Sequence, residues 1–271
     1  MKKIVFVLGI VICFVYSISA ETLATEIPAG GVSGTCNNAG TCLWSLSSDG
    51  TMTISAASGA TNVKMENYYC NDDTREGNRP WEQNIAQIKN IVVGDNIVNI
   101  GKEAFQNAVN LETVTGMKDV KTIGYDCFVS TRKLSLIETP NVETLENCVF
   151  TGSGLKSIDL PNVKEIGVIA FSGTTRLEYA GIPKDVTYVE DGSNRGAFYE
   201  SKLSNCQNNG ECGSCGEKFV QAGVGCVSNC FDGYYATNQG YCKEIKLRYT
   251  LPEADAATSN DNENMIEWIF E

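Results

Sequence analysis

Residues 97–128 read IVNIGKEAFQNAVNLETVTGMKDVKTIGYDCF, and the end of that run begins to repeat its start. Ile97, Ile100, Ala104 and Phe105 return as Val120, Ile123, Cys127 and Phe128. Followed outward, Phe recurs at 105, 128, 150, 171 and 198, at spacings of 23, 22, 21 and 27. Five residues before the first four stand Ile100, Ile123, Leu145 and Ile166. Val189 precedes the fifth by nine, as if Asp191 to Arg195 carried a four-residue insertion. Three residues earlier again come Ile97, Val120, Val142, Val163 and Val186. Each Phe is followed by a leucine, at 111, 134, 155, 177 and 203, and then by Val114, Ile137, Ile158 with Leu160, and Ile182. Pro140, Pro161 and Pro183 mark the ends of three copies.

Apolar positions with a period of 21–23 describe one supersecondary unit stacked on the next, each leaving a hydrophobic edge that only its neighbour covers. The Leu-x-x-Val/Ile run suits a short strand, whose period of two sends alternate side chains inward. A small residue before most of the Phe lets the backbone turn tightly, and proline ends the strand's hydrogen bonding. With Leu155, Ile158 and Leu160 inward, Ser157 and Asp159 point out. The same register exposes Thr113 with Thr115, Leu136 with Glu138, and Tyr179 with Gly181. Thr113, Thr115, Leu136, Glu138, Ser157, Asp159 and Tyr179 are the candidate ligand face, mixing hydroxyl, apolar and acidic groups.

The pattern V/I-x-x-I-G-x-x-A-F-x-G/N-x-x-x-L-x-x-V/I-x-x-P resembles the BspA-like (Treponema-type) leucine-rich repeats of bacterial and protist surface proteins. Its copies are Ile97–Asp119, Val120–Asn141, Val142–Asn162, Val163–Asp185 and a weaker Val186–Leu203. Leu145-Glu146 departs from the Ile-Gly pair, and Cys127 and Val149 replace the small Ala. The resemblance implies a solenoid, display at a cell surface, and adhesion to host or matrix proteins or to other cells.

Upstream, Leu43 to Leu46, Ser47-Ser48-Asp49-Gly50 and Thr51 to Ile54 read as a β-hairpin with an Asp-Gly turn. Pro80-Trp81 starts a short helix, with Trp81, Ile85 and Ile88 on one face, and Ile91 to Val93 follow as a strand. This segment also resembles the one that precedes BspA-like repeats. A cap of this kind covers the first repeat's edge, with Trp44 and Trp81 in its core.

Met1 to Ala20 has Lys2 and Lys3, an apolar run from Ile4 to Tyr16 and a small-residue end, the form of a secretory signal peptide. Its loss takes the net charge from −12 to −14 and leaves no other stretch apolar enough to span a membrane. Beyond the repeats, Cys206, Cys212, Cys215, Cys226, Cys230 and Cys242 crowd into a glycine-rich stretch, the texture of a disulfide-stapled module in an oxidising compartment. The run from Cys230 to Cys242 resembles the end of an EGF-like or growth-factor-receptor-type repeat. Cys212-Gly-Ser-Cys215 also raises zinc, which the compartment and the absence of histidine disfavour. Cys36 and Cys42 pair across Asn37 to Thr41, or one of them bonds Cys70. Cys127 reads as a core thiol and Cys148, aligned with Asp126, as an exposed one; the odd total of 11 after signal cleavage leaves at least one thiol free or intermolecular. The acidic tail after Thr250 reads as a short helix through Ala257 and a strand from Met265 to Phe270.

The organisation expected is therefore a mainly β solenoid: signal peptide 1–20, N-terminal β-rich cap 21–96, leucine-rich repeats 97–203, disulfide-rich C-terminal module 204–243 and tail 244–271. The acidic charge argues against nucleic acid as a partner, and a chain without histidine has no Ser-His or Cys-His pair. Asp72-Asp73 and Glu263 with Glu267 sit in no glycosidase frame, and Asn71 to Glu76 lacks EF-hand spacing for calcium. No catalytic residue, metal or cofactor is expected. The function expected is macromolecular, adhesion-type protein binding by a secreted or surface protein, a host molecule being one such partner; the periplasm would satisfy the same address. A structural role in an envelope or surface layer is the alternative, and a secreted glycan-active enzyme a weaker one.

Overall fold

The structure, a computed structural model, describes residues 27–70, 77–183, 185–192 and 195–203, with short runs at 219–221, 225–227, 229–230, 234–236 and 242–244. The chain opens with three antiparallel strands, β1 (Val32–Thr35), β2 (Cys42–Leu46) and β3 (Thr51–Ala56). The hairpin read in the sequence is present, with Trp44 opposite Ile54 and Leu46 opposite Met52. Gly50 closes its turn at φ 89°, a left-handed conformation natural to glycine. After β4 (Val63–Lys64), the helix expected at Trp81 is a 3-10 helix, Glu82–Gln87, and β5 (Asn90–Val93) follows. Trp81 and Ile88 are fully buried and Ile85 partly so.

From here the chain winds. One strand per turn is β6 (Ile97–Ile100), β8 (Thr122–Ile123), β10 (Thr144–Leu145), β12 (Glu165–Ile166) and β14 (Thr187–Tyr188), the Val-x-x-Ile segments. The other is β7 (Thr113–Thr115), β9 (Leu136–Ile137), β11 (Ser157–Asp159) and β13 (Tyr179–Gly181), just after each leucine. Two six-stranded ladders result, parallel except for the antiparallel β1-β2-β3: the longer, by the length of its strands, is β1-β2-β3-β5-β7-β9, and the shorter is β4-β6-β8-β10-β12-β14, with β11-β13 paired separately. β5, placed by the sequence in the cap, pairs in parallel with both β3 and β7 and so starts the ladder one turn earlier.

The third side of the coil is the turn carrying Phe. Phe105, Phe128, Phe150 and Phe171 are fully buried and Phe198 nearly so. Their rings form a column with Trp81: centroids are 5.5, 5.6, 5.7, 5.4 and 4.9 Å apart from Trp81 to Phe198, all stacked. Trp44 and Tyr68 close its N-terminal end edge-on against Trp81. The turns also bond to one another, as in Phe105 N–H to Cys127 O at 2.9 Å and Phe150 N–H to Ala170 O at 2.7 Å. The first four turns each use two left-handed residues and the fifth uses one. Those after Phe are Asn107, Ser130, Gly152, Gly173 and Glu200, and those before it are Glu103, Asp126, Cys148 and Ile169.

The cap is fastened by Arg79, 3% exposed, which pairs with Glu82 at 2.6 Å and donates to the carbonyls of Glu103 and Gln106. Trp81 Nε1 donates to Ala104 O at 2.9 Å. Both therefore grip the first Phe turn. Beyond the repeats, β15 (Phe219–Gln221) pairs with β16 (Gly225–Val227), and β17 (Tyr234–Ala236) with β18 (Cys242–Glu244). The expected signal peptide, the acidic tail, Asn71 to Glu76, and Cys206, Cys212 and Cys215 lie outside the described residues.

Candidate functional site

The outward side chains of the longer ladder make the candidate face. Because opposed residues on paired strands point to the same side, the register can be followed strand by strand. Ser33 stands opposite Ser45, Ser45 opposite Thr53, Thr53 opposite Val92, and Val92 opposite Thr115. Glu138 follows β9 on the next turn and donates its N–H to Val114 O at 3.0 Å. With strands about 4.8 Å apart, the row is about 24 Å wide. Ser33, Ser45, Thr53 and Val92 are exposed, Val92 by 40%, and Thr115 is half-buried. A second row runs Thr51, Asn90, Thr113 and Leu136, all half-buried.

Of the residues expected on the face, Thr113, Thr115 and Leu136 stand on it half-buried, and Glu138 and Asp159 are exposed. Two of them are already engaged: Thr113 Oγ1 donates to Asn90 Oδ1 at 2.8 Å, and Glu138 accepts from Gly116 N–H at 2.7 Å. Glu138 thus holds the left-handed Gly116 of the turn beneath it. Ser157 and Tyr179 depart from the expectation of exposure, at 6% and 4%. Ser157 sits opposite Tyr179 in the ladder, and a small side chain about 4.8 Å from a large one is shielded by it. The open part of the face therefore lies toward the N-terminal end, and Ser33, Ser45, Thr53 and Val92 extend it. Counting repeats missed Ser33, Ser45 and Thr53 because β1 to β3 belong to no copy, and Val92 because β5 lies upstream of the five copies; the alternation of Trp44 and Leu46 with Ser45 was the signal available.

Chemically the row is hydroxyls around one valine, suited to hydrogen bonding with a flat partner rather than to proton transfer. Among the described residues no cluster of Cys, Asp and Glu could hold a metal ion, and no helix is long and apolar enough to cross a membrane. The shorter ladder is electrostatic instead. Glu143 bridges Lys121 at 3.0 Å and Lys164, at equivalent positions of successive turns. The Lys164 ammonium, then that of Lys121, holds the Glu143 carboxyl below its ordinary range.

Cys36 and Cys42 are joined, so the alternative bond to Cys70 is not made. Cys127 is a buried thiol, its ionisation pushed well up by burial. Cys148 is a correction: it is fully buried and disulfide-bonded, not exposed. Its position points away from the coil's own core into a separate apolar cluster, which an alignment with Asp126 does not reveal.

Residues 83–204 match the BspA type leucine rich repeat region, in six copies. The match begins at residue 83, ahead of the five copies read from Ile97 onward. Among solved structures, a leucine-rich repeat protein from Eubacterium ventriosum is 27% identical at a TM-score of 0.51, over 62% of this chain and 42% of that one. A Treponema pallidum leucine-rich repeat protein is 19% identical at 0.43, over 59% and 78%. One from Bacteroides ovatus is 21% identical at 0.38, over 54% and 41%. This chain spans less than half the length of the E. ventriosum protein. No curated protein gives a significant match. The repeat match and the E. ventriosum likeness agree with the ladders and ring column: the fold is a leucine-rich repeat solenoid.

Proposed function

We propose that this chain is a secreted or surface-displayed, non-catalytic repeat protein that binds another macromolecule, of the adhesion type, through the outer face of its longer ladder. The observation that carries the reading is the row Ser33, Ser45, Thr53, Val92 and Thr115, a continuous flat surface of small polar groups on paired strands. Backbone pairing fixes these side chains before any partner arrives, which lowers the ordering cost of binding. The N-terminal signal pattern and the Cys36–Cys42 bond support an oxidising, extracytoplasmic address. The charge of −12 favours a partner with basic patches, and a host-derived protein fits that description. Cys148, being buried, does not offer the exposed thiol through which dimerisation would favour an envelope-layer role.

The test is surface-plasmon binding of the full chain to a panel of purified extracellular-matrix proteins. A Thr53→Arg/Thr115→Arg double variant should weaken the strongest interaction about tenfold or more, some 1.4 kcal/mol. Arg176→Ala, on an exposed turn, should leave it unchanged. Equal binding by both variants would move the site off this face.

A further inference from the structure

On the turn side of the coil, Val129, Cys148, Val168 and Ile169 are 3%, 0%, 1% and 2% exposed, yet they form an apolar cluster of their own, separate from the core. They come from three outward positions of the Phe turn: three and two residues before the Phe and one after it. In the first repeat these positions hold Lys102, Glu103 and Gln106, all polar. In the second they are Tyr125, Asp126 and Val129; in the third, Asn147, Cys148 and Thr151; in the fourth, Val168, Ile169 and Ser172. Apolar residues thus enter at these positions from the second repeat onward, on a side where a solenoid ordinarily meets water. Ile169 takes part at φ 47°, a left-handed conformation that a β-branched side chain adopts at a cost of about 1–2 kcal/mol.

The sulfur of Cys148 is in a disulfide. Cys36 and Cys42 are bonded to each other, and Cys127 is a thiol inside the core. Cys70 lies against Glu103, whose position is equivalent to that of Cys148 two turns earlier. That offset is about 10 Å, beyond the Cα separation of about 7 Å that a disulfide allows. The cysteines that remain after signal cleavage are 206, 212, 215, 226, 230 and 242, of which Cys230 is itself bonded. The last repeat ends at Leu203, three residues before Cys206.

We propose that the cysteine-rich segment 204–243 folds back onto the turn side of the third and fourth repeats, tied there by a disulfide from Cys148 and covering Val129, Val168 and Ile169. The segment is then a fixed part of the body rather than a spacer beyond it, and the open residues of the ladder face, Ser33, Ser45, Thr53 and Val92, lie on another side of the coil. The proposal does not depend on what that face binds.

The experiment is peptide mapping of the full chain, secreted under oxidising conditions, alkylated with N-ethylmaleimide without reductant and digested unreduced. The peptide containing Cys148 should be joined to one from 204–243 and carry no label. A labelled Cys148, or one joined to a second copy of itself or to any cysteine outside 206–242, overturns the proposal. In the Cys148→Ser chain, limited proteolysis should release 204–243 faster than from the wild type. Equal release rates from the two chains would overturn the docking.

Discussion

Replacing Phe128 with alanine removes a ring from the middle of the aromatic column. Phe128 is fully buried, with Phe105 5.6 Å away on one face and Phe150 5.7 Å away on the other. Truncating a buried Phe costs about 3–5 kcal/mol, more where the surroundings cannot collapse. Here both flanking rings are held by their own turns and strands, which puts the cost near about 5 kcal/mol. Phe198 has a single stacked neighbour, Phe171 at 4.9 Å, among the described residues, and its truncation should cost nearer about 3 kcal/mol. Phe128→Leu keeps most of the buried area and loses two ring contacts of about 0.5–1.5 kcal/mol each, or about 2 kcal/mol together. Urea unfolding with disulfides intact, followed by Trp fluorescence, reads the three values. At a slope of about 2 kcal/mol/M, the midpoints should fall by about 2.5, 1.5 and 1 M respectively. If Phe128→Ala cost no more than Phe198→Ala, the rings would not be coupling one turn to the next, and the reasoning would be wrong.

Gly124→Ala would set a Cβ 2.6 Å from the backbone nitrogen of Lys102 and 2.8 Å from the carbonyl carbon of Gly101. Neither can rotate aside, so a loss of about 1–3 kcal/mol is expected, seen as a lower Tm. The Glu143 carboxyl is held below its ordinary value of 4.5 by Lys164 and Lys121. Its contribution is complete above about 4.5 and is lost as pH falls through the lower folded value. Glu143→Gln should therefore lower Tm near neutrality and leave it nearly unchanged at the acid end; a uniform offset across pH would contradict the assignment. Burial pushes the Cys127 thiol well up, so iodoacetamide should modify it only under unfolding conditions. Rapid labelling in the native chain would show that the core opens there.

Much of the coil was legible because a core position must be filled the same way in every turn. Phe105 to Phe198, the valine and isoleucine pairs and the recurring leucines betray themselves by spacing alone, and the hairpin by its alternation around Asp49-Gly50. The second ladder was not legible: β8, β10, β12 and β14 are two residues each, too short to display a period of two. The turn at β5 escaped because Trp81 stands where a Phe is expected. The left-handed positions before Phe are filled by Glu103, Asp126, Cys148 and Ile169, with no glycine to mark them. On the candidate face, Ser157 and Tyr179 were misjudged for one reason. Alternation says which way a side chain points and not whether something lies on top of it.

The ring column has a consequence for how such a chain can change length. Each junction from Phe105 onward is the same event, one phenyl laid on another at 4.9–5.7 Å. Among the described residues the Trp81 end, with Trp44 and Tyr68 set edge-on, is made differently. An in-frame duplication of residues 120–141 would add one junction identical in kind to those already there, and its deletion would heal by the same contact. The number of turns is thus a quantity that unequal recombination could alter in single steps, widening or narrowing the exposed surface without redesign at either end.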